Sequence, residues 1–275
     1  MPTGTLLVVA TPIGNLADAS PRALEGLAGA DLIACEDTRT TRTLLARHGI
    51  GTRTIALHEH NERAVTGKLI SFLLENKTVA LVSDAGTPGL SDPGALLVEA
   101  AHRAGVRVSP LPGPSAAAAA FSASGFAADR FLFAGFLPAT PAARRKALES
   151  LDLPWPVVFY EAPHRIAATL QDLRQRFGDA REGLSARELT KKFEEVARLP
   201  LGGAPTWLAG GAHRQQGEFV LVLAPGAEAP PGADADRVLR ALLDAVSPSE
   251  AARLAARITG APRQQLYRRA LELAK

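Results

Sequence analysis

The segment 83–94, SDAGTPGLSDPG, combines residues that bend the backbone with carboxylates that can accept hydrogen bonds from a ligand. It holds two aspartates, three glycines and two prolines, whereas a plain turn needs only one or two residues of these types. Glycine lets a backbone approach a ligand closely, and proline fixes the bend. The composition therefore predicts a ligand-binding loop rather than a surface turn.

Four further polar loops also follow predicted strands. They are TPIGNLAD (11–18), CEDTRT (35–40), HEHNE (58–62) and LPGPS (111–115). In a parallel sheet all five loops project from the same edge, which is where open α/β sheets bind ligands. A single loop of this kind is most simply a turn with a helix cap, but five at one edge favour a binding site.

The spacing of the polar residues excludes several common chemistries. The chain has neither the GxxxxGK[ST] loop of nucleoside triphosphatases nor the GxGxxG fingerprint of dinucleotide-binding folds. HEHNE lacks the second histidine of the HExxH zinc motif, because position 62 is glutamate. His58 and His60 form an H-x-H pair, but we expect a strand end or a substrate contact there rather than a metal site. Cys35 is expected to pack at a strand end and not to act as a nucleophile.

Short apolar runs alternate with helical patterns in the first half of the chain, which predicts a parallel sheet with helices on its faces. The predicted strands of this half are 6–10, 31–34, 54–57, 79–82 and 106–111. A helix is predicted at 116–124, and the strands beyond it are expected to be more mixed in direction. These later elements are strands at 131–136, 157–160, 183–189 and 218–223 and a helix at 162–177. We therefore predict two α/β domains, at 1–113 and 114–226.

The last part of the chain differs from these domains in composition. Residues 225–234 are rich in proline, glycine and alanine, which is typical of a linker. The tail at 235–275 contains eight basic and four acidic residues, although the whole chain has a net charge of only +3. Two helical patterns separated by a Gly-Ala-Pro break predict a basic helix-turn-helix tail.

The overall composition bounds the class of protein. With 275 residues, 47% hydrophobic and 21% charged, the chain is expected to fold into a globular protein. No apolar run approaches the roughly 18 residues that would be needed to cross a bilayer. A single cysteine excludes an internal disulfide framework and fits a reducing compartment, so we expect a cytoplasmic protein without a membrane partner.

Taken together, the motifs resemble the tetrapyrrole-methylase-type S-adenosylmethionine methyltransferases. The resemblance is carried, in order, by TPIGNLAD, IACEDTRT, HEHNE, LVSDAGTPGLSDPG, LPGPSA, FYEAPHR, ARELTKKFEE and GEFVLVL. Tetrapyrrole-modifying members are expected to have a glycine-rich GxGxGD-like first loop, whereas this chain has TPIGNL at 11–16. Within the family the match is to the branch that methylates ribose 2′-hydroxyls of small-subunit ribosomal RNA.

The resemblance implies that S-adenosylmethionine lies folded in a cleft between the two α/β domains. The residues expected to bind this cofactor are Pro12, Ile13, Asp84, Ala85, Gly86, Pro88, Ser115, Ala116, Tyr160, Glu161, Leu189 and Glu218. Among them, Ser115 and Ala116 begin a helix whose N-terminus can hold the methionine carboxylate. For Glu161, a structural role near a helix start is the alternative.

Transfer of a methyl group to a ribose hydroxyl is assisted by removal of the hydroxyl proton. The candidates for a base or proton relay are His58, Glu62 and Glu36, and Lys191 and Arg39 offer electrostatic help. His58 could equally make a structural hydrogen bond at a strand end. Alignment of the two reactants without a general base is the other possibility.

The implied partner is small-subunit ribosomal RNA, either free or in the assembled subunit, and the family resemblance implies a homodimer. The expected RNA contacts are Arg39, Arg263, Tyr267, Arg268 and Arg269. A second basic edge is predicted at 144–146. The alternative for the tail is a solvated helical cap that packs on the second domain. Two other functions stay open at this point, namely methylation of a tetrapyrrole and RNA binding without catalysis.

Overall fold

The computed structural model describes residues 4–226 and 233–274, which form two compact units divided after Pro225. The first unit contains two five-stranded sheets, and the second unit is helical. Residues 227–232 of the predicted linker and Lys275 of the predicted tail lie outside the described residues. In the described part of the chain, no helix has both the length and the apolar character needed to span a membrane.

The first sheet is entirely parallel, with the strand order β3-β2-β4-β1-β5. Its strands are β1 (Thr5–Val9), β2 (Leu32–Cys35), β3 (Thr54–Ala56), β4 (Val79–Val82) and β5 (Arg107–Leu111). The helices between them are α1 (Pro21–Gly29), α2 (Thr38–Arg47), α3 (Glu62–Leu74) and α4 (Ala95–Arg103). One face of the sheet packs against Leu27 and Leu44, and the other against Leu69 and Leu97. The predicted parallel sheet is confirmed, since every strand pair in it is parallel.

Helix boundaries in this sheet follow local signals that are visible in the sequence. The Ser20 side chain accepts a hydrogen bond from the Ala23 amide at the start of α1, and Pro21 occupies the first helical position. Gly49 follows the end of α2 with φ of 66°, a left-handed conformation that glycine adopts without strain.

The second sheet is mixed, with the order β6-β7-β10-β8-β9, and β6 and β7 are its parallel pair. Its strands are β6 (Leu132–Phe136), β7 (Val157–Glu161), β8 (Glu182–Arg187), β9 (Glu195–Pro200) and β10 (Phe219–Leu223). Four helices accompany it: α5 (Ala116–Ser124), α6 (Pro141–Leu148), α7 (Ile166–Phe177) and α8 (Ala204–Ala209). Short 3₁₀ turns lie at Leu16–Asp18, Leu201–Gly203 and Ala212–Gln215.

The structure corrects the sequence prediction at several points in this second sheet. Strand β9 was not predicted, because its sequence EVARLP is interrupted by charged residues and ends in proline, as suits a partly exposed edge strand rather than a buried apolar run. β8 ends at Arg187 rather than 189, since Glu188 has φ of 50° and leaves the strand. The basic edge predicted at 144–146 is also wrong in part: Arg144 is buried and pairs with Asp172 at 2.7 Å, a carboxylate that Arg145 shares.

The second unit consists of the three helices α9 (Ala233–Leu243), α10 (Pro248–Thr259) and α11 (Arg263–Leu273). Small side chains let these helices approach closely, and Leu239, Ala251, Ala255, Leu266 and Ala270 form the buried centre. Ser247 caps α10 by accepting a hydrogen bond from the Glu250 amide. The predicted helical tail is therefore confirmed.

Glu62 fixes the end of the loop that joins β4 to α4. Its carboxylate is buried, and Oε1 accepts hydrogen bonds from the Gly94 amide at 2.9 Å and the Leu96 amide at 3.0 Å. A carboxylate at a helix N-terminus satisfies amides that have no partner within the helix and complements the helix dipole. Glu62 therefore connects α3 to the first turn of α4.

Replacing this carboxylate should destabilise the protein. We expect Glu62→Ala to lower the free energy of unfolding by about 1–3 kcal/mol, because two amides lose their acceptor. Glu62→Gln is the matched control, since its amide oxygen can still accept, and it should lose less. Urea unfolding of the three proteins measures the difference. An unchanged unfolding midpoint in Glu62→Ala would show that this cap adds nothing to stability.

Candidate active site

A cavity of about 380 Å³ lies where loops at the carboxyl edge of the first sheet meet the second sheet. Its size is in the range of small-molecule sites, roughly 300–1,000 Å³. Eight of the twelve residues predicted to bind the cofactor line it: Ile13, Ala85, Gly86, Ser115, Ala116, Tyr160, Glu161 and Glu218. The fold thus brings together segments that are more than 200 positions apart in the sequence.

The loop at 83–94 is tied to three other loops of the same edge. Thr11 and Gly86 exchange two backbone hydrogen bonds of 2.8 and 3.0 Å, which form an isolated antiparallel bridge. The Asp84 carboxylate accepts a hydrogen bond from the Asp37 amide at 2.9 Å. The Thr87 hydroxyl donates to the Pro114 carbonyl at 3.2 Å. These contacts hold the loop as one wall of the cavity.

Gly86 has no acceptable replacement in this wall. Its φ of 82° is a left-handed conformation that most side chains disfavour. A Cβ atom at this position would lie 3.4 Å from Cγ2 of Ile13, which lines the same cavity. The glycine therefore serves both the bend and the close approach that the sequence predicted.

A second part of the cavity wall begins at the N-terminus of α5. Ser115 caps this helix through the Ala118 amide, and the Tyr160 ring lies among the aromatic rings of Phe133 and Phe136. Burial raises the pKa of the Tyr160 hydroxyl, although hydrogen bonding to the Ala117 backbone acts in the opposite direction. The wall therefore offers a helix N-terminus, which attracts anions, next to apolar ring surface.

Four of the predicted cofactor residues do not line the cavity. Pro12 and Pro88 are buried within their loops, and the exposed Asp84 accepts the hydrogen bond from Asp37. Leu189 packs with Tyr160 against the apolar cluster beneath α5. These residues support the cavity wall without forming its surface.

Asp92 and Phe136 line the cavity, but the sequence analysis did not name them as site residues. Asp92 falls in the same loop as Asp84, and this position is the signal that could have identified it. Burial raises the pKa of Asp92, and the charge of Asp84 adds to the effect, whereas a hydrogen bond from Ser83 opposes it. Phe136 ends a predicted strand, and its ring is 54% exposed.

Glu36 belongs to the same group of carboxylates. Burial raises the pKa of Glu36, and the negative charges of Asp92 and Asp84 raise it further. Such carboxyls hold a proton more tightly than exposed ones do, which moves them toward the range where acid–base catalysts work. Within residues 4–226 and 233–274, no His, Cys, Asp and Glu side chains are grouped as a metal site would require.

Glu36 does not line the cavity, and neither do the other predicted catalytic residues. His58 is half-buried at the end of β3, its backbone amide donates to the Asn61 side chain, and its Nδ1 has no hydrogen-bond partner. Glu62 caps α4 as described above. Lys191 donates to Glu188 at 2.8 Å and to Glu218 at 2.9 Å. Burial acts to lower the pKa of Lys191, but these two carboxylates outweigh it and raise the pKa.

The Glu161 carboxylate is occupied by internal partners. It is buried and accepts hydrogen bonds from the Thr169 hydroxyl at 2.6 Å and the Ala162 amide at 2.8 Å, and the Arg165 guanidinium lies 3.1 Å away. Glu161 therefore fixes the turn between β7 and α7, and this turn forms part of the cavity rim.

The residues predicted to contact RNA differ in whether their charges are already paired with carboxylates. Arg39 is exposed but bound in two places to the Asp37 carboxylate, whose pKa it lowers to about 2. In the second unit, Arg269 is bound to Asp236 and Glu272. Arg263, Tyr267 and Arg268 are exposed on α11, and the hydroxyl-bearing ring of Tyr267 is 42% exposed.

The raised pKa of Asp92 predicts a pH-dependent stability change. The folded state binds this proton more tightly than the unfolded chain, whose aspartates have a pKa of about 3.9. The contribution of Asp92 to stability is therefore lost as the pH rises from that value through the folded pKa. We expect Asp92→Asn to raise the melting temperature at pH 7, with a gain that disappears as the pH falls toward 4.

Asp179 provides a control of the opposite sign, because a hydrogen bond from Arg174 lowers its pKa. Asp179→Asn should lower the melting temperature at pH 7, and its effect should persist down to pH 4, because the lowered pKa keeps this carboxylate ionised there. Thermal unfolding of both variants and the parent protein between pH 4 and 8 tests the pair. A lower melting temperature for Asp92→Asn at pH 7 would contradict the assignment.

Comparison with known proteins gives the family. The family described as Tetrapyrrole (Corrin/Porphyrin) Methylases matches residues 5–205, and the RsmI C-terminal HTH domain matches residues 229–274. The ribosomal RNA small subunit methyltransferase I of Pseudomonas aeruginosa is 49% identical over 277 residues, covering 99% of this chain and 98% of the relative. The protein of that name from Escherichia coli O157:H7 is 47% identical over 273 residues, covering 98% and 95%.

A solved structure confirms the fold of the first unit. Uroporphyrin-III C-methyl transferase from Thermus thermophilus, complexed with S-adenyl homocysteine, aligns with a TM-score of 0.56 over 80% of this chain and 97% of that chain. Its 16% identity shows the fold alone. On the family matches and the full-length relatives, the chain belongs to the tetrapyrrole methylase family and, within it, to the ribosomal RNA small subunit methyltransferase I group.

Proposed function

We propose that this protein transfers a methyl group from S-adenosylmethionine to the ribose 2′-hydroxyl of a cytidine in small-subunit ribosomal RNA. The observation that carries the proposal is the cavity at the carboxyl edge of the first sheet, which joins eight of the predicted cofactor residues. The full-length relatives support ribosomal RNA as the substrate. The resemblance and the single buried cysteine extend the proposal to a homodimer that works in the cytoplasm.

The residues of the cavity fit this cofactor. The N-terminus of α5, capped by Ser115, suits the methionine carboxylate. At Gly86 the wall lacks a side chain, so the cofactor can approach the backbone closely. Tyr160 and Phe136 supply apolar ring surface, and Asp92 and Glu218 supply hydrogen-bond acceptors.

The bound cofactor supplies a methyl group on a positively charged sulfur. The protein has to exclude water, align the acceptor oxygen with that methyl group and remove the hydroxyl proton. Among the cavity carboxyls, Asp92 is suited to accept the proton, because it lines the cavity and its pKa is raised by burial. The negative charge of Asp84 favours the protonated form of Asp92, and the charge of Asp92 in turn raises the pKa of Glu36. His58, with its unpartnered Nδ1, is the competing acceptor.

Methyl transfer to defined substrates tests the function. Labelled S-adenosylmethionine is incubated separately with three substrates. Two come from a strain lacking the gene, namely its small ribosomal subunits and its deproteinised small-subunit RNA, and the third is uroporphyrinogen. Hydrolysis of the RNA to nucleosides then locates the label, which we expect on one cytidine ribose. Label on the tetrapyrrole alone would overturn the substrate assignment. Cofactor binding without transfer to any substrate would favour an RNA-binding protein that has lost catalysis.

Asp92→Asn separates proton removal from cofactor binding. This variant keeps the shape of the side chain but cannot accept the proton, so we expect kcat to fall by about 10²–10⁴-fold with cofactor binding retained. His58→Asn is the comparison variant and should keep most of the activity. If His58→Asn loses kcat and Asp92→Asn does not, the proton acceptor is His58.

A further inference from the structure

An open groove of about 960 Å³ lies beside the cavity on the first unit. Its walls come from the loop after β1, the C-terminal end of α2 and the loop after β8. The lining residues are Gly14, Asn15, Leu16, Ala17, Arg47, His48, Thr190, Lys191 and Lys192. The lining includes arginine, lysine and histidine but no carboxylate. We call this surface the basic groove.

Two cations of the basic groove are free of ion pairs. Lys191 is neutralised by Glu188 and Glu218, but Arg47 and Lys192 are exposed. Among the residues that the structure describes, no carboxylate lies within ion-pair distance of either one. The α2 sequence TRTTRTLLAR contains three arginines and no acidic residue, and Arg39 is paired with Asp37 at the far end of the helix.

The backbone beside Lys192 is strained. Glu188 and Thr190 have φ of 50° and 65°, left-handed conformations that residues other than glycine disfavour. Hydrogen bonds from the Glu218 amide and the Lys191 ammonium to Glu188 hold this loop in place. Strain of this kind collects at functional sites, where the surrounding structure maintains it.

An exposed aromatic ring accompanies the free lysine. The Phe193 side chain is 64% exposed, and the Lys192 ammonium lies 5.4 Å from the centre of its ring. A cation next to an open aromatic face matches what single-stranded RNA requires, since phosphates bind cations and unpaired bases stack on rings.

The basic groove and the cavity share two structural connections. Ile13 lines the cavity, whereas the next residue, Gly14, lines the groove. Glu218 lines the cavity and accepts a hydrogen bond from Lys191 in the groove. A Cβ atom on Gly14 would lie 2.5 Å from Cγ of Lys191, so the two groove walls approach as closely as glycine permits. An RNA strand bound in the groove would therefore pass directly beside the cavity.

We propose that the basic groove holds the phosphate backbone of a single-stranded segment of the substrate RNA through Arg47 and Lys192, with Phe193 stacking on one of its bases. This proposal rests on the proposed function, because it takes the substrate to be RNA. It adds a binding surface on the first unit to the contacts that the sequence predicted on α11.

The test compares Arg47→Ala/Lys192→Ala with a matched control, Arg53→Ala/Arg107→Ala. Arg53 and Arg107 are exposed at the amino edge of the first sheet, opposite the cavity, and no ion pair to a described carboxylate involves them. Binding of deproteinised small-subunit RNA is measured over a series of salt concentrations. Affinity for S-adenosylmethionine is measured in parallel to check that each variant is folded.

The groove variant should bind RNA about 10–100-fold more weakly at low salt, while cofactor affinity stays unchanged. Its plot of log affinity against log salt should be shallower by about 1.4, because each lost phosphate contact on single-stranded RNA removes roughly 0.7 from the slope. Phe193→Ala should weaken RNA binding without changing the salt slope, since a stacked ring neutralises no phosphate and therefore displaces no counterions. The control should match the parent protein in both measurements.

The outcomes separate this inference from the proposed function. If the parent protein methylates the RNA and the groove variant has the affinity and salt slope of the control, the groove is not the RNA surface, and the function stands. If the parent protein neither binds nor methylates small-subunit RNA, whether deproteinised or in the assembled subunit, both proposals are overturned.

Discussion

The pair of backbone hydrogen bonds between Thr11 and Gly86 is the contact on which the site depends most. It joins the ends of β1 and β4, which are neighbours in the parallel sheet, and so fixes the relative position of two loops that are far apart in sequence. Each such bond adds only about 0.5–1.5 kcal/mol to stability. Its larger effect is geometric, because Ile13 and Gly14 lie two and three residues after Thr11 and line the cavity and the basic groove respectively.

The loop after β1 is therefore a thin partition between the cavity and the basic groove. Cofactor in the cavity and RNA in the groove would be separated by little more than the thickness of one backbone. Methyl transfer further requires the acceptor ribose to pass this partition and enter the cavity, because its oxygen must contact the methyl group while water is kept out. The Lys191–Glu218 contact crosses the same boundary, so a ligand on one side can influence the side chains on the other.

The acidic residues around the cavity show a conflict between stability and chemistry. Asp92 and Glu36 are partly buried near Asp84, and burial together with like charge makes their ionised forms unfavourable. A structure selected for stability alone would not keep these carboxyls close together. Their presence agrees with an acid–base role, for which a raised pKa is useful.

The sequence alone determined the parts of this protein that depend on local patterns. The apolar run at 79–82 predicted the bounds of β4, whose four residues are all buried. Ser20 and Ser247 marked the starts of α1 and α10, because a helix cap involves only residues close together in the sequence. Five polar loops after parallel strands indicated the binding edge, because parallel strands end at one side. The family motifs then predicted twelve cofactor residues, of which eight line the cavity.

Only the tertiary structure decided how the side chains are used. Glu62 looked like a catalytic acid or base in HEHNE, but its partners are the amides of Gly94 and Leu96, more than 30 positions away. In the same way, only the folded structure shows that Asp92 lines the cavity and that Arg47 and Lys192 line one groove. A hydrogen bond or a local electric field depends on distances of a few ångströms between side chains, and for residues far apart in the chain those distances exist only after the sheets have packed.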